Sequence, residues 1–334
     1  MDTEAATKAV RLATGSSETV SAVTPLSGGV SNLTYLLTLD EGARLVMRTP
    51  PPGQRSGNAH NMIREARVLE AVHPLFPEAP AIVGYSEDPS ATGDQFLIMT
   101  QIDGRALPPG SPFEVSPEQA RTLCKNFVDG LARLHEAELT DTVQAAFGDP
   151  QGFVARQVAG WSRRYEKIGL DNPRSALRDW LSANIPPDPD RASILHNDYK
   201  FDNMVLDRDD PTRIIGVLDW ELSGLGDSFM DLGNALAYWV EAGDPHALQR
   251  FKRGPTDLPG MMSRDEIIDA YCTARGFDRP ANMNFYQSMG LFRLAVIALQ
   301  VHVRVRVTGG VGKPSPFLDA ALALLDRAED FAGV

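Results

Sequence analysis

The chain has 334 residues, of which 43% are hydrophobic, and its 32 basic and 44 acidic residues give a net charge of −12. This length allows one large domain or two smaller ones, and the apolar content is ordinary for a globular protein with a sizeable core. An acidic chain argues against nucleic-acid binding and against adhesion to an anionic membrane, so we expect neither partner. A local basic pocket for a phosphate stays compatible with this charge.

The N-terminus lacks a cationic start followed by an apolar run, and charged residues interrupt the apolar stretch at 291–307. We therefore expect no signal peptide and no membrane span, which favours a cytoplasmic protein. The two cysteines, Cys124 and Cys272, lie in apolar-periodic stretches and are interpreted as small core residues.

The first hundred residues are predicted to be rich in strands. A glycine turn separates the first two strands, and a loop rich in proline and glycine precedes the one predicted helix. The strands are predicted at 20–29, 33–40, 44–49, 81–88 and 95–103, and the helix at 58–72.

From Pro117 onward the pattern becomes helical, beginning with a serine cap and a proline in the first turn. Helices are predicted at 116–139, 151–183, 227–242, 263–276, 283–306 and 316–331, with a short strand at 213–221. The predicted fold class is α+β, with a strand-rich lobe at 1–100, a linker at 101–112 and a helical lobe at 113–334. A cleft between two such lobes is a common place for a ligand.

The stretch SILHNDYKFDNMVLD, 193–207, concentrates chemistry between two short apolar segments. His196, Asp198 and Asn203 have the spacing of the kinase catalytic loop H-R-D-x-x-x-x-N. An aspartate at the start of such a loop can take a proton from an attacking hydroxyl, and the asparagine can offer its carbonyl oxygen to a metal ion. Lys200 could neutralise the phosphoryl group during transfer.

Asp219 ends an apolar strand sixteen residues after Asn203. A strand end is a rigid mount, and a carboxylate there can hold Mg²⁺ between two phosphates. In the upstream lobe, the turn at Gly28 and Gly29 allows backbone N–H groups to approach phosphates, and Ser31 or Asn32 can add a donor.

Arg48 ends the third strand and Glu65 follows inside the helix, which matches the ion pair that kinases use to hold the α- and β-phosphates. No lysine occurs between Leu26 and Gln101, so Arg48 is the leading candidate for the phosphate-binding cation. The backbone from Gln101 to Asp103, at the start of the linker, is where an adenine ring would pair.

These features together resemble the aminoglycoside phosphotransferase-like family of small-molecule kinases, which is similar to choline kinases and, more remotely, to protein kinases. The resemblance covers about 25–325 and is closest to the branch found as separate kinases or fused to acyl-CoA dehydrogenase-like domains; this chain contains no dehydrogenase domain. The matching stretches, in family order, are LSGGVSNLTYLL, LVMRTPP, REARVL, LARLH, ILHNDYKFDNMVLD, GVLDWELSGLGDSFMDLG and LFRLAVIALQVHVR.

The resemblance implies a protein kinase-like bilobal fold and transfer of the γ-phosphate of ATP, with Mg²⁺, to a hydroxyl of a small molecule. The branch points to a hydroxyacyl-CoA or a related hydroxylated metabolite as acceptor, and to an acyl-CoA dehydrogenase-like enzyme as functional partner. The alternatives are an antibiotic phosphotransferase acting on aminoglycosides or macrolides, and a nucleotide-binding scaffold without catalysis. The oligomeric state is not indicated.

Two residues depart from the family pattern. Asn197 replaces the glycine of the usual H-G-D, and we expect little effect because this side chain should point away from the substrate. Arg48 replaces the usual lysine, which leaves GTP open as an alternative to ATP.

Several polar residues near the motifs have competing structural interpretations. His196 is expected to brace the loop, while Lys200 either contacts phosphate or is solvated. Arg293 either lines the acceptor pocket or forms a structural pair. Asp202 and Asp207 are expected to be solvated, Asp227 and Asp231 to cap helix N–H groups, and His135 to be a packed core residue.

Overall fold

A computed structural model describes residues 1–26, 32–51, 61–170, 174–309 and 316–334, with the helical backbone alone for 306–309. The N-terminal part is an antiparallel sheet in the order β1-β2-β3-β5-β4. The strands are β1 Val20–Leu26, β2 Leu33–Leu39, β3 Arg44–Thr49, β4 Ile82–Ser86 and β5 Phe96–Thr100. All five lie where alternation of apolar residues predicted them.

Two helices pack on this sheet: α1, Thr3–Thr14, and α2, Met62–Val72. Helix α2 was predicted, and Asn61 caps its first turn by accepting from the Arg64 N–H at 2.9 Å. Helix α1 was not predicted, because its buried face is built mainly from small residues, Ala6 and Ala9 beside Val10. Alanine carries little hydrophobic contrast, so the helical period was weak in the sequence.

The linker joins the helical part through a short strand, β6, Arg105–Ala106. It pairs antiparallel with β8, Met204–Leu206, rather than with the N-terminal sheet. Gly104 precedes β6 and lies so close to the Leu206 carbonyl that a side chain could not be accommodated there. The chain leaving the N-terminal sheet is therefore fixed directly to the strand that follows the catalytic-loop motif.

The C-terminal part is mainly helical, and most of its helices were predicted. The predicted stretch at 151–183 divides into two helices, and the short α4 and α8 were not predicted. The helices are α3 Pro117–Glu136, α4 Asp141–Phe147, α5 Phe153–Ile168, α6 Ser175–Ala183, α7 Ser228–Ala237, α8 His246–Gln249, α9 Arg264–Arg275, α10 Met283–Gly309 and α11 Pro316–Ala332. Both cysteines are buried and unbridged, as predicted.

Helix α10 is the central helix of this part. Over Met283–Val305 it is long and apolar enough to cross a membrane by length and composition, but 67% of that stretch is buried within the protein, as in a core helix. It packs closely on α7, because Gly290 lies against the backbone of Gly233 with no room for a side chain. This contact brings α7 and α10 together behind the catalytic loop.

Two small strand pairs hold the catalytic motifs. Strand β7, Ser193–Leu195, pairs with β10, Gly224–Gly226, and β8 pairs with β9, Ile214–Val217. Strands β7, β8 and β9 are the short strands predicted around the motifs. The loop between β7 and β8 carries Asp198, and the turn between β9 and β10 carries Asp219.

Candidate active site

His196 braces the catalytic loop, as the sequence predicted. Its Nδ1 accepts from the Asp198 backbone N–H at 3.2 Å, and its Nε2 donates to the Leu218 carbonyl at 3.0 Å. This pair of bonds fits a neutral imidazole, and burial lowers the His196 pKa, which keeps the ring uncharged. His196 therefore joins the loop to the end of β9 and has no role in proton transfer.

Asp198 is buried among cations and amides. Lys200 Nζ lies 2.6 Å from its Oδ2, and Asn203 Nδ2 donates to the same oxygen at 2.9 Å. Burial would raise the pKa of Asp198, but Lys200, Arg293 and these hydrogen bonds outweigh it and lower that pKa to about 2. Asp198 is therefore ionised at neutral pH and can accept a proton from a hydroxyl placed against it.

Lys200 is mostly shielded from solvent, with its side chain 15% exposed, which argues against the solvated interpretation. Its ammonium lies between Asp198 and the ring of Tyr238, 4.8 Å from the ring centroid. Burial would lower the pKa of Lys200, but Tyr238, Asp198 and Asp202 raise it above its ordinary value. Lys200 therefore stays cationic and holds Asp198 ionised.

Asn203 and Asp219 lie side by side at the ends of neighbouring strands. Met204 pairs with Val217, and the Leu218 N–H donates to the Asn203 carbonyl at 2.7 Å. Asp219 follows Leu218 directly, so this pairing places it next to Asn203. Asp219 has a left-handed backbone with φ of 70°, which aspartate tolerates better than most residues. One hairpin, formed by β8 and β9, thus brings together two residues that are sixteen positions apart in the sequence.

Arg48 is the centre of a carboxylate cluster. It forms an ion pair with Glu65, and its Nη2 lies 3.2 Å from Asp219 Oδ1 and 3.5 Å from Glu221 Oε2. Burial would lower the pKa of Arg48, but the three carboxylates raise it above its ordinary value. The structure therefore brings the predicted Arg48–Glu65 pair to the predicted metal-binding aspartate, 171 residues away in sequence.

These residues fit a divalent cation. Arg48 carries one positive charge against the carboxylates of Glu65, Asp219 and Glu221, and burial raises the pKa of Glu65. Even with Glu65 protonated, the two remaining carboxylates exceed the single charge of Arg48. Asn203 uses its amide N–H groups on Asp198, so its carbonyl oxygen is the atom with which it would bind a metal. Oxygen donors from an asparagine and an aspartate suit Mg²⁺, and we assign Asn203 and Asp219 as the residues that would hold it.

Glu221 was missed by sequence reasoning, although it lies only two residues after Asp219. Its side chain is buried, and Asn32 donates to it through Nδ2 at 2.9 Å. The predicted phosphate donor Asn32 is thus directed at Glu221 in this structure. Gly28, Gly29 and Ser31, predicted to contact phosphates, lie outside the described residues.

The predicted nucleotide-base edge lies between β5 and β6. Asp103 is exposed and its side chain pairs with Arg208 at 2.6 Å, which lowers the Asp103 pKa. Its carboxylate is thus occupied by the surface ion pair with Arg208. The predicted adenine contact from Gln101 to Asp103 therefore depends on backbone groups. This surface pair anchors the linker to the turn after β8.

The prediction that Asp202 is solvated is wrong. Its side chain is only 12% exposed and lies 3.8 Å from Lys200 Nζ, and burial raises its pKa to about 6. The short 3-10 turn Phe201–Asn203 rotates Asp202 inward, which the sequence could not reveal. Asp207 is partly exposed at a turn, where it accepts backbone N–H groups and pairs with Arg213.

Asp231 supports the loop from α7 but does not cap its own helix. Its two carboxylate oxygens accept the backbone N–H groups of His196 at 2.6 Å and Asn197 at 2.8 Å. His135 adds a third contact at 3.1 Å and is buried in the core, as predicted. Asp227 is the helix cap that the sequence predicted, accepting from the Phe229 N–H.

Tyr238 and Arg293 complete the surroundings of Asp198, and they come from helices far away in sequence. The Tyr238 ring lies 4.8 Å from Lys200 Nζ, which is bonded to Asp198, while Arg293 on α10 donates to the Asn197 carbonyl at 2.8 Å. Burial raises the Tyr238 pKa, and Asp198 adds to the rise, so the phenol stays protonated. Tyr238 carried no sequence signal, because it ends an apolar helix whose pattern indicated core.

A bilobed kinase-like fold that carries an aspartate, an asparagine and a second aspartate in this order is typical of phosphotransferases. The model of the phosphotransferase enzyme family, APH, matches residues 22–267, and the chain belongs to this family. A crystal structure from Ralstonia eutropha JMP134, of a candidate aminoglycoside phosphotransferase, is 28% identical and superimposes with a TM-score of 0.80 over 99% of this chain and 98% of that one. Its fold confirms the predicted kinase-like α+β class.

Curated relatives point to the predicted branch. The chain is 32% identical over 287 residues to acyl-CoA dehydrogenase family member 11 of Gallus gallus, covering 83% of this chain and 36% of that protein. It is 32% identical over 302 residues to the probable acyl-CoA dehydrogenase IBR3 of Arabidopsis thaliana, covering 84% and 36%. The chain thus spans little more than a third of these relatives. Macrolide 2'-phosphotransferase type I, at 20% identity and a TM-score of 0.60 over 92% of each chain, shares the fold.

Proposed function

We propose that this protein transfers the γ-phosphate of ATP to a hydroxyl group of a small molecule. The observation that carries the proposal is the buried, ionised Asp198, bonded to Lys200 and Asn203 one strand away from Asp219. A nucleotide-binding scaffold would not need a carboxylate kept ionised in a buried position. The cluster is therefore interpreted as catalytic machinery.

In the proposed mechanism, Asp198 binds the acceptor hydroxyl and takes its proton as the oxygen attacks. A pKa of about 2 suits a loose transition state, in which the proton leaves late and the main task of the carboxylate is orientation. Tyr238 packs its ring against Lys200, which is bonded to this carboxylate. Lys200 lies where its positive charge can stabilise the phosphoryl group during transfer.

On the opposite side, Arg48 would bind the non-transferred phosphates, held in place by Glu65. Asn203 and Asp219 would hold Mg²⁺, which would neutralise negative charge on the phosphates. Because Arg48 is a planar donor already engaged by three carboxylates, phosphate binding must compete with Asp219 and Glu221 for its N–H groups. ATP is the proposed nucleotide.

We propose a hydroxyacyl-CoA or a related anionic hydroxylated metabolite as acceptor. Trp161 on α5 is flanked by two cations near the catalytic loop: Arg164 at 4.3 Å and Arg293 at 5.5 Å from the ring centroid. Burial is the main cause that lowers the Arg164 pKa, and the nearby Arg293 and Arg163 lower it further, so three cations lie close together here. Such a region favours an anionic acceptor over a polycationic aminoglycoside. The relatives named as acyl-CoA dehydrogenases support the same choice of acceptor. The proposed functional partner is such an enzyme, and the proposed location is the cytoplasm.

The test is to incubate the protein with γ-labelled ATP, Mg²⁺ and a metabolite extract, and to identify labelled products. We expect labelled products with the wild type and none with Asp198→Asn, whose loss of turnover should exceed about a thousandfold because the base is gone. Full activity of Asp198→Asn would contradict the base assignment. Nucleotide binding without any labelled product from the wild type would instead support the scaffold.

A further inference from the structure

Asn197 is the one residue of the catalytic loop that departs from the family's H-G-D pattern, and it is buried. Its backbone has φ of 62°, a left-handed conformation that glycine adopts freely and that asparagine tolerates better than other side chains. The backbone therefore explains why glycine or asparagine fits here. It does not explain what the amide side chain contributes.

The polar groups of Asn197 are engaged by three parts of the fold: α7, α10 and the turn after Asp219. Its backbone N–H donates to Asp231 at 2.8 Å, and its carbonyl accepts from Arg293 at 2.8 Å. Its side-chain Nδ2 donates to the Leu222 carbonyl at 3.1 Å, and its Oδ1 accepts from Asn234 at 3.3 Å. A glycine could make the two backbone contacts but neither of the side-chain contacts.

The Leu222 contact is the informative one, because it crosses from the catalytic loop to the turn after Asp219. Leu222 closes the 3-10 turn Trp220–Leu222, which begins at Asp219. The preceding carbonyl, that of Glu221, accepts from Arg64 on α2 at 3.1 Å. The turn is thus held from the nucleotide side by Arg64 and from the catalytic side by Asn197.

We propose that Asn197 is a positioning residue that couples the catalytic base to the metal-binding turn. Asp198 follows Asn197 directly, and Asp219 begins the turn that Asn197 holds, so this buried amide adds a second connection between the two carboxylates, beside the one that His196 makes. Phosphoryl transfer depends on placing the hydroxyl and the metal-bound phosphates in line, so this spacing affects turnover. The inference rests on the proposed function and assigns Asn197 more than the small effect expected from the sequence.

The test compares Asn197→Gly with a matched control. Glycine keeps the left-handed backbone and removes only the side-chain bridge, whereas Asn197→Ala would add backbone strain. The control is Asn126→Ala, which removes another asparagine bond to a backbone carbonyl, that of Thr212 at 2.8 Å, away from the catalytic loop. Asn197→Gly loses two side-chain hydrogen bonds and Asn126→Ala loses one, so the control accounts for the loss of an asparagine–carbonyl bond at a position away from the loop.

We expect Asn197→Gly to lower kcat roughly tenfold and to raise the Mg²⁺ concentration needed for half-maximal rate, with the acceptor KM within about twofold of wild type. Hydrogen exchange should accelerate at the backbone amides of 219–224 as well as 196–203. Asn126→Ala should match the wild type in all of these readouts. A general loss of stability would not move the Mg²⁺ requirement alone.

Asn197→Gly with unchanged kcat, Mg²⁺ dependence and exchange at 219–224 would overturn the proposal. A wild type that transfers no phosphate would defeat the proposed function separately. In that case exchange at 219–224 still decides whether Asn197 couples the two segments, and unchanged exchange there again rejects the coupling.

Discussion

The two halves of the site carry opposite charge arrangements. Around Arg48, one guanidinium faces three carboxylates, from Glu65, Asp219 and Glu221. Around Asp198, one carboxylate is bonded to Lys200 and influenced by Arg293. The first half has an excess of negative charge that a divalent cation can neutralise, and the second keeps a single carboxylate ionised.

This difference indicates a division of labour. A buried excess of negative charge is unfavourable unless a cation joins it, so the Arg48 half is suited to bind metal and nucleotide. A carboxylate that neighbouring cations keep ionised is suited to receive a proton at neutral pH. The predictions below test this division, beginning with the change expected to have the largest effect.

Replacing Arg48 with methionine should have the largest effect, because it leaves three carboxylates without their cation. We expect a loss of about 3–5 kcal/mol in the free energy of unfolding, with nucleotide binding lost as well. Urea unfolding and nucleotide titration measure the two effects. Arg44→Met, an exposed position at the start of the same strand, is the control and should change neither.

Asp219→Ala should separate metal binding from the rest of the first half. We expect Mg²⁺-dependent nucleotide affinity to fall about 10- to 100-fold, which corresponds to the loss of one metal–carboxylate contact. Nucleotide titrations with and without Mg²⁺ measure this effect. Identical titration curves for variant and wild type would count against Asp219, and the exposed Asp209→Ala serves as control.

Lys200→Met should act on the second half through the pKa of Asp198. Since Lys200 is the main neighbour that lowers this pKa to about 2, removing it should raise the pKa, so activity should be lost at a higher pH on the acid side. We expect turnover to fall about tenfold or more at neutral pH as well. The pH–rate profile measures the shift; an unmoved acid limb would contradict it, and the exposed Lys167→Met is the control.

The smallest predicted effect concerns the stability of the support behind the loop. Burial lowers the His135 pKa, so the folded chain resists protonation while the unfolded chain binds a proton near pH 6.5. The free energy of unfolding should therefore decrease as pH falls below about 6.5. His135→Gln should reduce the number of protons taken up on unfolding, which sets this slope, by up to about one. An unchanged slope in His135→Gln would contradict the prediction.

The parts of the site that lie close together in sequence were predictable. Two local patterns identified them: the spacing of Asp198 and Asn203, and the strand that ends before Asp219. Because β8 and β9 pair with each other, these residues become neighbours in the structure. Arg48 was found because no lysine competes with it between Leu26 and Gln101. These residues were identified by type and spacing, and the fold then brought them together.

The rest depended on tertiary structure. Tyr238 and Arg293 reach Asp198 only because α7 and α10 pack closely behind the loop, and neither helix pattern distinguishes a site residue from a core residue. Glu221 faces Arg48 because the backbone at Asp219 is left-handed, a conformation with no clear sequence signal for aspartate. Asp202 was misinterpreted for the same kind of reason, since a short 3-10 turn decides which way it points.

The most direct test of the division of labour is single-turnover transfer from γ-labelled ATP prebound with Mg²⁺ to Asp198→Asn, in the presence of the acceptor. The account predicts that the variant retains the labelled nucleotide as the wild type does, while the transfer rate falls by more than about a thousandfold. Transfer at the wild-type rate would show that Asp198 is not the base. Failure of the variant to retain the nucleotide would show that the two halves do not act separately.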